Sequence, residues 1–137
     1  MIRKATVEDI DAINELDKKF FNDSLGRDFL LNDLLNNAMA NYFVAVIDKQ
    51  IVGYIGSWVA DNTTILNFCV DSDYQKQGIG TKLLQSVIDN GVGCLSLEVR
   101  VTNKNAIRFY ELRGFKKAAI RQNYYKNGDD AILMIRE

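Results

Sequence analysis

Apolar positions along this chain switch between two spacings, and the switches mark its elements. Residues 2–5 read as a short strand. Behind them Thr6-Val7-Glu8-Asp9 resembles a capping box with Asp in place of Glu. Val7, Ile10, Ile13, Leu16 and Phe20 then recur at helical spacing. A second helical stretch covers 27–39, with Phe29, Leu30, Leu34 and Leu35 on one side. Residues 42–47 and 51–59 are β-rich runs joined by Asp48-Lys49-Gln50, which predicts a hairpin. Asp61-Asn62 is the next turn, before a near-continuous apolar strand over 64–70. The loop 71–77 leads into Gly78-Ile79-Gly80, and Ile79, Leu83, Leu84, Val87 and Ile88 share one face of a helix. Residues 95–100 form a strand. A helix over 103–113 follows, closed by Gly114, which suits a left-handed cap. Strands over 115–125 and 131–136 finish the chain.

The order is strand, two helices, three antiparallel strands, helix, strand, helix, two strands. Helices interleaved with a mixed sheet predict an α/β (α+β mixed) domain. At 137 residues the chain fits one domain, 1–137. That length buries about two-thirds of the unfolded surface, so no disulfide or metal is needed to hold a core.

Charge narrows the function classes. The formal net charge of -1 gives no general attraction to nucleic acid or anionic membrane. The start, Met-Ile-Arg-Lys, shows no apolar signal segment, and no run has the length of a membrane-spanning helix. Cys69 and Cys94 lie in apolar, strand-like stretches and suit reduced, buried thiols of a cytoplasmic protein. There is no histidine. This removes Ser-His and Cys-His nucleophile pairs and most zinc sites, so no metal is expected. Acid–base work falls to carboxylate, tyrosine, lysine or thiol.

The most informative segment is Gln75-Lys76-Gln77-Gly78-Ile79-Gly80-Thr81, between a strand and an amphipathic helix. Glycines there permit positive φ and close backbone approach, while the first helical N–H groups lack intrahelical partners. Such a terminus binds phosphate. It is not a dinucleotide fingerprint, because Leu83 stands where the third glycine would fall, and it lacks the Gly-Lys-Ser/Thr tail of a P-loop. A plain tight turn remains the alternative. Glu98 alternates with Leu95, Leu97 and Val99 and so faces away from them, near a strand's C-terminal end, where clefts form. It is a candidate base or, alternatively, an ion-paired carboxylate with Arg100 as partner. Tyr110 is a candidate acid or a packing residue. Trp58 reads as core, and Tyr124 and Tyr125 as groove lining or as an alternating edge strand.

Gln75-x-x-Gly78-x-Gly80 resembles the Q/R-x-x-G-x-G/A motif of the GNAT superfamily of N-acetyltransferases. Asn67-Phe68-Cys69-Val70-Asp71 looks like that family's fourth strand. Leu97-Glu98-Val99-Arg100, Asn103, Ala106, Phe109-Tyr110 and Gly114-Phe115 resemble its second block. The resemblance implies a mixed sheet of about seven strands flanked by about four helices. It implies acetyl-CoA as co-substrate, its pyrophosphate on the backbone of Gln77, Gly78, Ile79, Gly80 and Thr81, with Lys76 and Thr81 adding side-chain contacts and Asn103 binding coenzyme A or capping its helix. It implies that Phe68, Cys69 and Val70 present backbone from a bulged strand that parts from its neighbour, one amide polarising the acetyl carbonyl. It places a catalytic base on Glu98 and the acid on Tyr110, with Cys69 a packed thiol.

Asp73-Tyr74-Gln75, Arg121-Gln122-Asn123-Tyr124-Tyr125 and Asp130-Ala131-Ile132 look like the RimI-type subgroup, which acetylates the N-terminus of a ribosomal protein. The implied acceptor is therefore a protein N-terminal α-amine; lysine, a polyamine or another small amine is the alternative, and a non-catalytic acyl-CoA-binding module a third. One departure bears on the acceptor: Phe21-Asn22-Asp23-Ser24 stands where the subgroup often has Pro-Trp-Ser. The loop 126–130 is also short. An α-amine of pKa ~8 costs about 1–1.5 kcal/mol to deprotonate at pH 7, a lysine of ~10.4 about 4–5 kcal/mol. A modest base suffices for the first.

Overall fold

A computed structural model describes residues 1–21 and 24–137. Asn22 and Asp23, in the segment that departs from the subgroup pattern, lie outside the described residues. The elements are β1 (Ile2–Lys4), α1 (Ile10–Phe20), α2 (Arg27–Asn36), β2 (Ala40–Ile47), β3 (Gln50–Val59), β4 (Thr63–Val70), α3 (Ile79–Asn90), β5 (Leu95–Arg100), α4 (Lys104–Glu111), β6 (Lys116–Arg121) and β7 (Ala131–Arg136). The seven strands form one mixed sheet in the order β1-β2-β3-β4-β5-β7-β6.

Local chemistry explains the turns. Thr6 N–H donates to the Asp9 carboxylate at 2.8 Å, the expected box, and Arg3 holds the same carboxylate at 2.7 Å. Asp48 and Lys49 have φ of 49° and 65°, the left-handed pair that a two-residue hairpin needs. The hairpin closes on Ile47 opposite Gln50, one residue earlier than the sequence predicts.

Alternation in the strands builds a core on each face. On one, Phe43, Val52, Ile55, Leu97, Val99 and Met134 pack under Leu83, Leu84 and Val87 of α3 and Ile107 of α4. On the other, Tyr42, Val44 and Tyr54 pack under Ile10, Ile13 and Leu16 of α1 and Leu30 of α2.

This second face departs from the expected pattern. Val7, Phe29 and Leu35 are exposed, and the second helix stops at Asn36. The buried residues of α2 are Leu30 and Asp33. Asp33 accepts hydrogen bonds from Tyr42 Oη at 2.7 Å, Trp58 Nε1 at 2.8 Å and Asn37 Nδ2 at 2.8 Å. Trp58 is therefore a half-buried residue steered by its N–H, not plain core. Cys69 is buried, whereas Cys94 precedes β5 half-exposed. The sixth strand stops at Arg121, with Phe115 buried before it and Tyr124 and Tyr125 in the turn beyond, not in an alternating strand.

Candidate active site

The site begins where two parallel strands separate. β4 and β5 pair only at Thr63–Leu95 and Thr64–Ser96. On its other edge β4 follows β3, but Ile55 opposes Phe68 while Ser57 opposes Ile65. Leu66 and Asn67 together thus face Gly56, a bulge that bends the strand. The bulge lies just before Phe68, Cys69 and Val70 rather than on them. Those three pair regularly with Ile55, Tyr54 and Gly53 and have no strand beside them on the β5 side among the described residues.

Beyond Val70 the chain turns through Ser72–Tyr74, and Asp71 accepts from Asp73 N–H at 3.2 Å. Gln75 Nε2 donates to the Val70 carbonyl at 2.9 Å, tying the loop to the end of β4. Lys76 and Gly78 have φ of 65° and 82°. At Gly78 an added Cβ would meet nothing within 4 Å, so backbone conformation, not space, demands glycine there. The α3 N-terminus has no side-chain cap, its first amides lack intrahelical partners, and Ile79, Gly80 and Thr81 line the groove.

That groove, of about 890 Å³, is lined by Phe68, Cys69, Val70, Lys76, Gly78, Ile79, Gly80, Thr81, Asn103 and Tyr110 among others. All the residues singled out for coenzyme A are there except Gln77, which is exposed outside it. Asn103 does cap its helix, accepting from Ala106 N–H at 3.2 Å, and lines the groove as well. Lys76 and Arg113 bring positive charge, and none of the described lining residues is acidic. Arg113 was not legible in advance. It lies 3.7 Å from the Phe109 ring centre and donates to Thr81 Oγ1 at 2.6 Å. The one available signal was its spacing of four from Phe109, a short-range stacking distance on a helix. Burial pushes the Cys69 thiol well up, as expected of a packed thiol.

Tyr110 is nearly buried, edge-on to Phe109 and Phe115 with ring centres 5.4 Å apart in each pair. Burial raises its phenol far above the usual value, Tyr125 adding a little, so it carries its proton at any working pH. Glu98 is on the opposite face of β5 from Leu97 and Val99, and so across the sheet from Tyr110. It is not among the groove-lining residues. It pairs with Arg121, with Nε 3.1 Å from Oε2, while Arg100 meets Asp129 at 3.0 Å. Tyr124 stands against Glu98, and burial together with that carboxylate raises its phenol. Acid and base candidates therefore sit on two sides of the gap between β4 and β5. A second hollow, beside α1 and the β2–β3 hairpin and lined by Lys18, Lys19 and Lys49, holds none of the predicted site residues.

A glycine-opened helix beside a parted parallel pair is the arrangement that the resemblance of the motifs implies, and the comparisons agree on the family. Residues 8–115 match the Acetyltransferase (GNAT) family, and the chain belongs to it. An Escherichia coli (strain K12) [ribosomal protein bS18]-alanine N-acetyltransferase is 49% identical over 101 residues, covering 69% of this chain and 68% of that protein. A Bacillus subtilis relative, provisionally named for the same bS18-alanine activity, is 34% identical over 139 residues, 97% of this chain and 92% of its own length. The crystal structure of the Escherichia coli ribosomal-protein-S18-alanine N-acetyltransferase superposes with a TM-score of 0.90 at 31% identity, covering 99% of this chain and 92% of that one.

Proposed function

We propose that this chain, acting as one catalytic domain, moves the acetyl group of acetyl-CoA onto the N-terminal α-amine of a protein, with a ribosomal protein's N-terminal alanine as the leading acceptor. The observation that carries the reading is the parting of β4 from β5 after Thr64 and Ser96, which leaves the backbone of Phe68, Cys69 and Val70 free beside a groove with no acid among its described lining residues. The names of the two relatives supply the acceptor. Lys76, Thr81, Asn103 and the amides of Gly78, Ile79 and Gly80 hold the nucleotide end. A backbone amide of residues 68–70 polarises the thioester carbonyl.

The step balances with two proton carriers. Glu98, through water, takes a proton from the ammonium; the freed amine attacks the carbonyl carbon; the carbon–sulfur bond breaks as Tyr110 protonates the departing thiolate; the second nitrogen proton then leaves through water and restores the Tyr110 phenol. An α-amine suits this site because little driving force is needed to deprotonate it. Glu98 and Asp129 each already face an arginine, so neither offers a polyamine an unpaired charge. The free thiols Cys69 and Cys94 fit a reducing, cytoplasmic setting.

The test is acetyl mass gain on peptides of varied free N-termini, beside the same peptides N-blocked, free lysine and spermidine. Free alanyl N-termini should be modified, with Glu98→Gln and Tyr110→Phe each lowering kcat/KM by about 10²-fold or more. Acetylation of spermidine or lysine alone would overturn the acceptor, and unchanged kinetics in both variants would overturn the roles.

A further inference from the structure

Asp17, on the inner face of α1, is completely buried. Its Oδ1 accepts from Tyr54 Oη on β3 and from Asn67 Nδ2 on β4 at 2.7 Å. Its Oδ2 accepts from Leu25 N–H at 2.6 Å. All these donors are neutral. A buried carboxylate with only neutral donors is a poor route to stability compared with well-packed apolar side chains. What it secures is geometry, and the segments it joins are the ones the site depends on.

Asn67 is in the β4 bulge, and Tyr54 opposes Cys69 across the ladder, so Oδ1 grips both strands at the bend that frees residues 68–70. Burial, and then the Asp17 charge, push the Tyr54 phenol well up and keep it a donor. Oδ2 holds the backbone of Leu25, just ahead of α2. Phe20, the last residue of α1, and Phe21 after it line the groove, and Phe21 N–H donates to the Asp17 carbonyl at 2.9 Å.

We propose that Asp17 is a positioning residue for acetyl transfer: its two oxygens lock the thioester-presenting bend of β4 and the backbone at Leu25, ahead of α2, into one register with the end of α1. This rests on the acetyl-transfer reading above. It predicts that loosening Asp17 harms the meeting of the two substrates while leaving the nucleotide grip, which lies on α3, intact.

The molecule carries its own control. Asp33 is also buried and also holds a tyrosine, an indole and an amide, but none of its partners belongs to the groove. Asp17→Asn, Tyr54→Phe and Asp33→Asn are compared in the full chain by melting temperature, acetyl-CoA affinity, and kcat and acceptor KM on an alanyl peptide. The expected result is kcat reduced about 10–10²-fold and acceptor KM raised for Asp17→Asn, a smaller change of the same kind for Tyr54→Phe, and unchanged acetyl-CoA affinity. Asp33→Asn should lower the melting temperature without moving kcat or KM. Wild-type kinetics in Tyr54→Phe and in any folded Asp17→Asn, or an equal loss in Asp33→Asn, overturns the proposal alone. Absence of wild-type turnover on every amine overturns the functional reading and this proposal with it.

Discussion

The two faces of the sheet are built by different chemistry. Under α3 and α4 the core is almost wholly aliphatic and aromatic. Under α1 and α2 it is threaded by two buried carboxylates: Asp17 holds the Tyr54 hydroxyl and the Asn67 amide, and Asp33 the Tyr42 hydroxyl and the Trp58 indole, all from strands. The first kind of core is non-directional and tolerates small shifts. The second fixes angles as well as distances, and breaking one member strands the rest.

The comparison is broken or sharpened by four measurements, taken from the largest expected effect to the smallest. Leu83→Ala, at a completely buried position of α3, should cost about 3–4 kcal/mol by denaturant unfolding. A cost under about 1 kcal/mol would mean that this core is loosely packed after all. Asp33→Ala orphans Tyr42, Trp58 and Asn37 and should cost about 2–3 kcal/mol, with a blue- or red-shift of Trp58 fluorescence marking the freed indole. No spectral change would deny the network its role. Gly78→Ala should cost about 1–2 kcal/mol from its left-handed backbone and weaken acetyl-CoA binding in calorimetry. Since open space surrounds its Cβ direction, a much larger stability loss would point to an unforeseen clash.

The smallest effect is at the rim of the α1 face. Arg3's hydrogen bond, then the Thr6 backbone donor, hold the Asp9 carboxyl below its usual value against the opposing pull of burial. The folded pKa lies under the unfolded value of about 3.9. The stabilisation is thus complete above that pH and drains as pH falls through the folded value. Asp9→Asn should flatten acid unfolding below about pH 4; an unaltered acid limb would remove Asp9 from the account.

The same contrast explains what the sequence revealed. Helix α3 and strand β5 announced themselves because burial on one face leaves a period, which Ile79, Leu83, Leu84 and Val87 carry in the helix and Leu95, Leu97 and Val99 in the strand. Gly78 was legible because so few residues accept positive φ. Asp17 and Asp33 were not, since an acid within a helix ordinarily marks the wet side. Their partners are 37 and 50 residues away for Tyr54 and Asn67, and 25 for Trp58, distances over which a linear pattern says nothing. Phe29 and Leu35 were misplaced for the same reason: α2 docks through Leu30 and Asp33, so its apolar spacing points elsewhere. Arg121 as a partner of Glu98 depends on the order of β5, β7 and β6, which the linear sequence does not display.

Two residue pairs join β4 to β5, against six between β3 and β4 and six between β5 and β7. Pulled from its outer edges, the sheet would tear along that line first. A guest lying along residues 68–70 breaks no existing rung, because the ladder already ends at Thr64. Occupancy then acts as a splint across the weakest join, and resistance to mechanical unfolding should rise when the gap is filled.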